Sequence, residues 1–387
     1  MTENKVLELY FHIPFCVRKC LYCDFLSAPG TEEVQAEYMS ALISEVEGCG
    51  GKYADWAVTS IFIGGGTPSI LEGHWIEALM KAVRRQFWLT DEAEITIEVN
   101  PGTVDPDKLK TYRKAGINRL SIGLQSADDK ELAAIGRIHS FAQFLDTYEN
   151  AAAAGFSNMN VDIMSALPEQ TLESYERTLH KVLQLTPQPK HISAYSLIVE
   201  EGTPFWELER QGKLALPDED CERLMYEETA RILGEYGYYR YEISNYAKPG
   251  FECRHNCGYW QRTNYLGFGI GAASLLENIR FRNGDDLYKY LDNPLACRED
   301  IQTLSHREQM EEFMFLGLRM TGGICVLEFQ RTFGIALEEV YGAVIAKNQT
   351  DGLLCYKRNT ETGEEMLALT AKGLDVSNYC MAQFLLS

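Results

Sequence analysis

Three cysteines fall within eight residues, Cys16-x3-Cys20-x2-Cys23, directly after an apolar run at 6–11. Thiolates are soft ligands, and three of them at this spacing suit three corners of a cubane iron–sulfur cluster. Such a cluster leaves one iron without a protein ligand, and a small molecule can coordinate there. Zinc is an alternative, but it commonly takes four ligands in two pairs. Disulfides are opposed by an odd total of eleven scattered cysteines. A chance cluster of buried thiols is the third alternative.

The next residues able to do chemistry recur where short apolar runs end. Gly64-Gly65-Gly66-Thr67-Pro68 follows the run 59–63. It lacks the Gly-Lys-Ser/Thr of a phosphate loop and the spaced glycines of a dinucleotide fingerprint. Three adjacent glycines instead let the backbone approach a small ligand closely, or simply make a tight turn. Glu98, Gln125 and Asp162 end three further runs, and Arg137 follows Gly136. Together they offer two carboxylates, an amide and a guanidinium, a mixture that suits a zwitterionic amino-acid group and a ribose diol. Each alone reads equally well as a strand-end cap.

The elements that must position these groups alternate along the chain. Runs at 6–11, 59–64, 94–99, 119–125, 158–164 and 191–197 read as strands. Amphipathic stretches at 32–48, 75–87, 106–115, 129–135, 141–154 and 172–185 read as the helices between them. Six such periods predict a parallel α/β architecture, a partial (β/α)6 barrel, with ligands at the carboxyl ends of the strands. The cysteine loop, following the first strand, belongs to that same mouth. A helix at 218–236 follows. Residues 238–276 break into aromatic- and glycine-rich pieces and read as the barrel's outer edge and lid, and a polar connector at 281–300 leads to a second unit. That unit has helices at 305–320, 325–333 and 337–348 and a hairpin around Asp351-Gly352, which predicts a small winged-helix-like α+β module. The expected domains are 1–290 and 300–387. Ala336, Glu338, Glu339 and Tyr341 stand where a DNA-reading helix would want arginines, so packing or partner docking is the expected role.

Composition narrows the function classes. The 387 residues are 45 % hydrophobic and 24 % charged, ordinary values for a globular protein. A formal charge of −20 disfavours nucleic acid as a partner and leaves at most peripheral contact with anionic membranes. No run of eighteen apolar residues argues for a membrane span. Met1 to Val6 do not read as a secretory leader, so a cytoplasmic, oxygen-sensitive protein is expected.

The cysteine loop together with Gly64-Gly65-Gly66-Thr67-Pro68 resembles the radical S-adenosylmethionine superfamily. Its cysteines ligate a [4Fe–4S] cluster, and the methionine amino and carboxylate groups of S-adenosylmethionine chelate the fourth iron. Tyr10-x-His12-Ile-Pro-Phe-Cys16, Glu98-x-Asn100-Pro101-Gly102, Ser121-Ile-Gly-x-Gln125-Ser, Gly136-Arg137-x-His139 and His191-Ile-Ser-x-Tyr195-Ser-Leu narrow this to the oxygen-independent coproporphyrinogen III oxidase group, over essentially the whole chain. The oxidases carry a fourth cysteine two residues past the third and an N-terminal extension. Here Phe25 stands at that place and Cys16 follows closely on Met1. Phenylalanine there, and His255-Asn256-x-x-Tyr259-Trp260, are similar to the heme-chaperone branch of the group.

The resemblance implies Cys16, Cys20 and Cys23 as cluster ligands. It implies Tyr10, Gly65, Gly66, Thr67, Glu98, Gln125, Arg137 and Asp162 as the S-adenosylmethionine shell, and His255, Tyr259 and Trp260 for heme. The implied function is a chaperone that holds heme and passes it to an apo-hemoprotein. Coproporphyrinogen decarboxylation and radical heme breakdown are the enzymatic alternatives. On chemical grounds a neutral His255 can ligate heme iron, Cys253 and Cys257 could also bind it, Tyr259 and Trp260 could line a porphyrin, and Arg254 and Arg262 could pair with propionates. One departure concerns a loop: where relatives show Gly-Leu-Pro-Gly-Gln, this chain has Ala166-Leu-Pro168-Glu169-Gln170, expected to be stiffer and more acidic.

Overall fold

The computed structural model describes residues 5–386. Six parallel strands form its centre: β1 (Lys5–Ile13), β2 (Trp56–Gly65), β3 (Trp88–Val99), β4 (Arg119–Gln125), β5 (Asn158–Ser165) and β6 (His191–Ser196), hydrogen-bonded in chain order. The helices between them are α1 (Glu32–Glu47), α2 (Gly73–Gln86), α3 (Pro106–Ala115), α4 (Asp129–Ala134), α5 (Phe141–Ala153) and α6 (Leu172–Leu183). Five of the six start at a side-chain cap, α2 being the exception. Asp105 caps α3 with Pro106 at its first turn, and Ser140 with Gln143 makes a reciprocal capping box on α5. In α2, Ile76, Leu79, Met80 and Val83 recur at helical spacing and are all buried. Truncating Leu79 to alanine would cost about 2–5 kcal/mol.

The expected six-period α/β core is present, and the sheet extends well past it. After α7 (Pro204–Arg210) and α8 (Glu219–Glu235), β7 (Tyr239–Arg240) and β8 (Asn245–Ala247) add antiparallel to the β6 edge. The chain then crosses beneath the barrel as α9 (Arg254–Trp260). It emerges at the opposite edge, where β9 (Tyr265–Phe268) runs parallel to β1. β10 (Ala273–Leu276), β11 (Ile279–Asn283) and β12 (Arg298–Thr303) continue antiparallel, with α10 (Leu287–Asp292) between the last two, to complete a twelve-stranded sheet. Two expectations are corrected here. Residues 238–276 do supply strands beyond both edges of the six-stranded core, as expected, but they form no outer lid, because their helix plugs the inner, amino-terminal end of the barrel. Residues 281–300 are not a bare connector, because their two ends pair in the sheet as parts of β11 and β12, with α10 between them; the polar side chains of those strands reflect an exposed edge.

The second unit has α11 (His306–Gly317), β13 (Ile324–Cys325), α12 (Val326–Phe333), α13 (Leu337–Thr350), β14 (Leu354–Arg358) and β15 (Glu365–Leu369), closed by α14 (Ala371–Asp375) and α15 (Ser377–Ala382). Its strands pair as β13-β15-β14, the helix–strand–helix–helix–hairpin order of a winged helix. Tyr341 is not on a reading face: it lies in this unit's core with Phe329, Leu337 and Phe384. Glu338 instead accepts a hydrogen bond from the Tyr356 hydroxyl at 2.9 Å. The unit docks on the barrel through Thr321, whose N–H donates to the Tyr241 carbonyl (2.9 Å), and through Glu312, paired with Arg262 (3.1 Å) and Arg280 (2.7 Å).

The plug is built from polar groups that burial keeps neutral. His255 is 1 % exposed and bonded through both nitrogens, Nδ1 to Ser60 Oγ (2.8 Å) and Nε2 to Tyr259 Oη (3.1 Å). Burial pushes its pKa down to about 3 and pushes that of Glu8, 3.7 Å away, up to about 8. The Glu8 carboxyl lies against Gly258, where any side chain would collide with it.

Two predictions follow from this architecture. Folded Glu8 keeps a proton that the unfolded chain releases near its ordinary value of 4.5. It therefore lowers stability as pH rises from that value through about 8. Glu8→Gln should show a shallower fall in melting temperature than wild type between pH 5 and 8, measured calorimetrically; parallel curves would contradict it. In the loop after β5, Ala166 (φ 58°) and exposed Glu169 (φ 61°) both occupy the left-handed region. Glu169→Gly should raise unfolding free energy by about 1 kcal/mol in denaturant titration, since it relieves strain and removes no buried contact.

Candidate cofactor site

Side chains alternate along a strand, so every second residue of β1 to β6 faces the barrel interior. That face carries Tyr10, Phe62, Glu98, Gln125, Asp162 and Tyr195, and it encloses a cavity of about 510 Å³. Cys16, Cys20 and Cys23 line the same cavity, as do Gly65, Gly66, Thr67, Arg137, His255 and Tyr259. Of the residues the resemblance implies, Trp260 alone does not line it: its ring packs under the Arg319 guanidinium, 4.2 Å away, against the second unit. Cys253, Arg254, Cys257 and Arg262, singled out on chemical grounds, also lie outside the lining.

The cysteine loop is fixed from two sides. Gly66 and Thr67 donate backbone hydrogen bonds to the carbonyls of Ile13 (2.8 Å) and Phe15 (2.7 Å), which prolongs the β1–β2 pairing into the loop. A methyl group on Gly66 would stand 2.6 Å from the Phe15 oxygen and 3.0 Å from Cys16 Sγ, so only glycine fits there. On the other side Leu21 N–H donates to Ile135 (3.1 Å) and Arg18 to the Gly136 carbonyl (2.8 Å). Among the described residues no three His, Cys, Asp or Glu side chains close on a single metal ion. The three thiols line one cavity together. Burial and the neighbouring Cys20 and Cys16 raise the Cys23 thiol pKa.

A relay of hydrogen bonds joins this loop to the polar wall. Thr67 Oγ1 donates to Cys16 Sγ (3.4 Å) and accepts from Asn100 Nδ2 (2.8 Å), while Asn100 Oδ1 accepts from Arg137 (3.0 Å). Glu98 accepts from Gly65 N–H (3.1 Å). Burial, and then the nearby Asp162, push the Glu98 pKa up to about 8. Asp162 is likewise raised by burial and accepts from Asn160 Nδ2 (2.7 Å). Arg137 keeps a buried Nε without a partner. Half-buried carboxylates and an incompletely bonded guanidinium facing one cavity fit a small ligand that carries an ammonium, a carboxylate and hydroxyls.

At the inner end the His-Asn-x-x-Tyr residues lie beneath this wall. His255 stacks on Phe62 (5.4 Å) and has no free ring nitrogen, so iron ligation there requires breaking its bond to Ser60 or to Tyr259. Arg262 is engaged by Glu312, and Arg254 reaches the Glu92 carbonyl (2.8 Å), so neither faces the cavity. Cys253 is fully buried against Glu94 (3.6 Å). The sequence reading missed Asn100, Arg119, Ser121, Asn160 and Ser193 in the lining. The signal was available for several of them: Asn100 and Asn160 stand two residues from Glu98 and Asp162, and Arg119 and Ser121 lie in phase with Gln125 on the same face.

Comparisons with known proteins can be set beside this geometry. The model of the Radical SAM superfamily matches residues 10–182, and that of the HemN C-terminal domain matches residues 304–376. Heme chaperone HemW of Lactococcus lactis is 37 % identical over 384 residues, covering 99 % of this chain and 98 % of its own. That of Bacillus subtilis is 36 % identical over 382 residues (97 % and 98 %), and that of Escherichia coli 40 % over 273 (70 % and 71 %). Among solved structures, the radical SAM enzyme coproporphyrinogen III oxidase (HemN) from Escherichia coli superposes with a TM-score of 0.84 at 23 % identity, covering 99 % of this chain and 90 % of that one. That likeness concerns the fold. Similarity sustained from end to end of both partners is what decides the matter, and the chain belongs to the HemW family of heme chaperones, within the radical SAM superfamily.

Proposed function

We propose that this protein is a heme chaperone: it binds heme and transfers it to an apo-hemoprotein acceptor, in the cytoplasm, using a [4Fe–4S] cluster and S-adenosylmethionine. The single observation that carries the reading is the convergence of three thiols, a glycine bend and a buried polar wall on one cavity, in a chain whose curated relatives are named heme chaperones. All eleven cysteines are unpaired, which suits a reducing compartment. No helix among the described residues is long and apolar enough to cross a membrane.

In this reading Cys16, Cys20 and Cys23 hold the cluster. When bound, the cluster supplies an electron and an open iron for the methionine end of S-adenosylmethionine. The protein's own groups do the rest. Arg137 and Glu98 meet opposite charges of the ligand, Gly65 and Gly66 admit it against bare backbone, and Asp162 and Gln125 accept and donate to its hydroxyls. Tyr10, with burial holding its hydroxyl protonated, donates toward His12 (3.0 Å) and closes one wall. The division of labour we infer places cofactor and heme chemistry in the barrel unit, 1–290, and acceptor docking on the acidic C-terminal unit, 300–387.

Anaerobic reconstitution tests this directly. Wild type should take up iron and sulfide in equal amounts and give a Soret band on heme titration, with no carbon dioxide released from coproporphyrinogen III. Decarboxylation at turnover rates, or no heme binding, would overturn the proposal. Cys20→Ser should lose the cluster. Arg137→Met should keep it and weaken S-adenosylmethionine binding about 10- to 100-fold by equilibrium dialysis, the value of one charge-assisted contact. His255→Ala should leave cluster content unchanged.

A further inference from the structure

One buried cation lies outside the shell assigned to S-adenosylmethionine. Arg119 opens β4 and is 2 % exposed, and its guanidinium faces the inner end of the cavity beside Asn160, Ser193, His255 and Tyr259. A guanidinium has five N–H donors. Among the described residues this one makes a single side-chain hydrogen bond, from Nη1 to Thr96 Oγ1 at 3.5 Å, and its buried Nε has none.

Neither Glu94 nor Asp162 accepts a hydrogen bond from it. Glu94 Oε1 accepts from the Arg254 N–H (3.0 Å) and the Cys253 thiol (3.6 Å), and Asp162 accepts from Asn160 (2.7 Å) and Ser121 (3.3 Å). Their charges still favour the cation: burial opposes its protonated form, while Glu94 and Asp162 act to retain it. A guanidinium held charged in a dry wall, with its hydrogen-bonding fork unfilled, is a poor structural element. Burying it costs several kcal/mol that one long contact does not offset. It is well suited to receive a carboxylate through two parallel bonds.

We propose that Arg119 anchors a carboxylate of a second ligand lying inward of the S-adenosylmethionine shell, and that this carboxylate is a propionate of the tetrapyrrole. The assignment rests on the heme-chaperone reading and gives it a site. Heme would be held by a charge at the barrel's inner end, next to the His255–Tyr259 pair, and not by the arginines at 254 and 262, which face away. The other source of a carboxylate, the methionine end of S-adenosylmethionine, is separated by the test.

The test compares ferric heme with its dimethyl ester, titrated anaerobically into the reconstituted full-length protein and followed at the Soret band. Wild type should prefer the free acid about 10- to 100-fold. Arg119→Gln should bind the two forms within about twofold of each other, with S-adenosylmethionine affinity and melting temperature close to wild type. Lys19→Gln, at the cavity mouth, should keep the wild-type preference. If Arg119→Gln does not fold, Arg119→Lys replaces it and should lose most of the preference, because an ammonium lacks the fork. Equal binding of acid and ester by wild type overturns the assignment while leaving the chaperone function intact. A preference retained in both Arg119 variants overturns it too, as does a loss confined to S-adenosylmethionine affinity. Absence of any Soret change in wild type sinks the underlying reading instead.

Discussion

The two backbone hydrogen bonds that Gly66 and Thr67 donate to Ile13 and Phe15 extend the β1–β2 pairing beyond the strands and bind the glycine bend to the cysteine loop. They require the loop and the bend to approach within van der Waals contact, which a side chain at residue 66 would prevent. Because β1 and β2 are rigid and buried, the position of Cys16 is inherited from the sheet and does not depend on the loop's own preferences. The relay through Thr67 and Asn100 then ties Arg137 to the same frame. A cysteine loop without secondary structure of its own is thereby placed as firmly as a strand end.

The barrel interior is unusual for a protein core. Outside the barrel wall the helices pack on Leu, Ile and Val, as a parallel sheet covered on that face demands. Inside, the wall carries Glu, Asn, Ser and Arg at single-digit exposures. Such a lining is costly unless ligands or partner groups complete its bonds. At its amino-terminal end, α9 and the hydrogen bonds of His191 with Asn160 (2.7 Å) and Tyr241 (2.8 Å) complete part of the wall and leave Arg119 with one long contact. Its other end opens toward the cysteines. The polarity therefore marks where a ligand belongs.

Much of this was legible beforehand. The strand–helix periods, the cluster spacing and the strand-end residues carry strong local signals: an apolar run, a cap, a glycine cluster, a charge in an apolar context. What failed was everything that depends on where the chain goes between distant elements. Residues 238–283 lack periodicity because each piece serves a different strand edge, so nothing local distinguishes an outer lid from an inner plug. Trp260 looked like part of the His-Asn-x-x-Tyr-Trp constellation because it is adjacent in sequence. On a seven-residue helix its ring emerges on the side facing Arg319. Arg262 was free on paper and is paired in space.

By itself the sequence determined residue types and their intervals: three thiols and no fourth in the loop, glycines where the backbone must come close, and polar residues in phase along six strands. Those follow from covalent spacing and from the two-residue repeat of a strand. Only the tertiary structure decided which charges remain unfilled. A guanidinium or an imidazole is defined by the partners that folding brings from elsewhere. Arg119 was one inward position among many until the fold committed its neighbours to other bonds, and His255 was a plausible ligand until Ser60 and Tyr259 took both of its nitrogens.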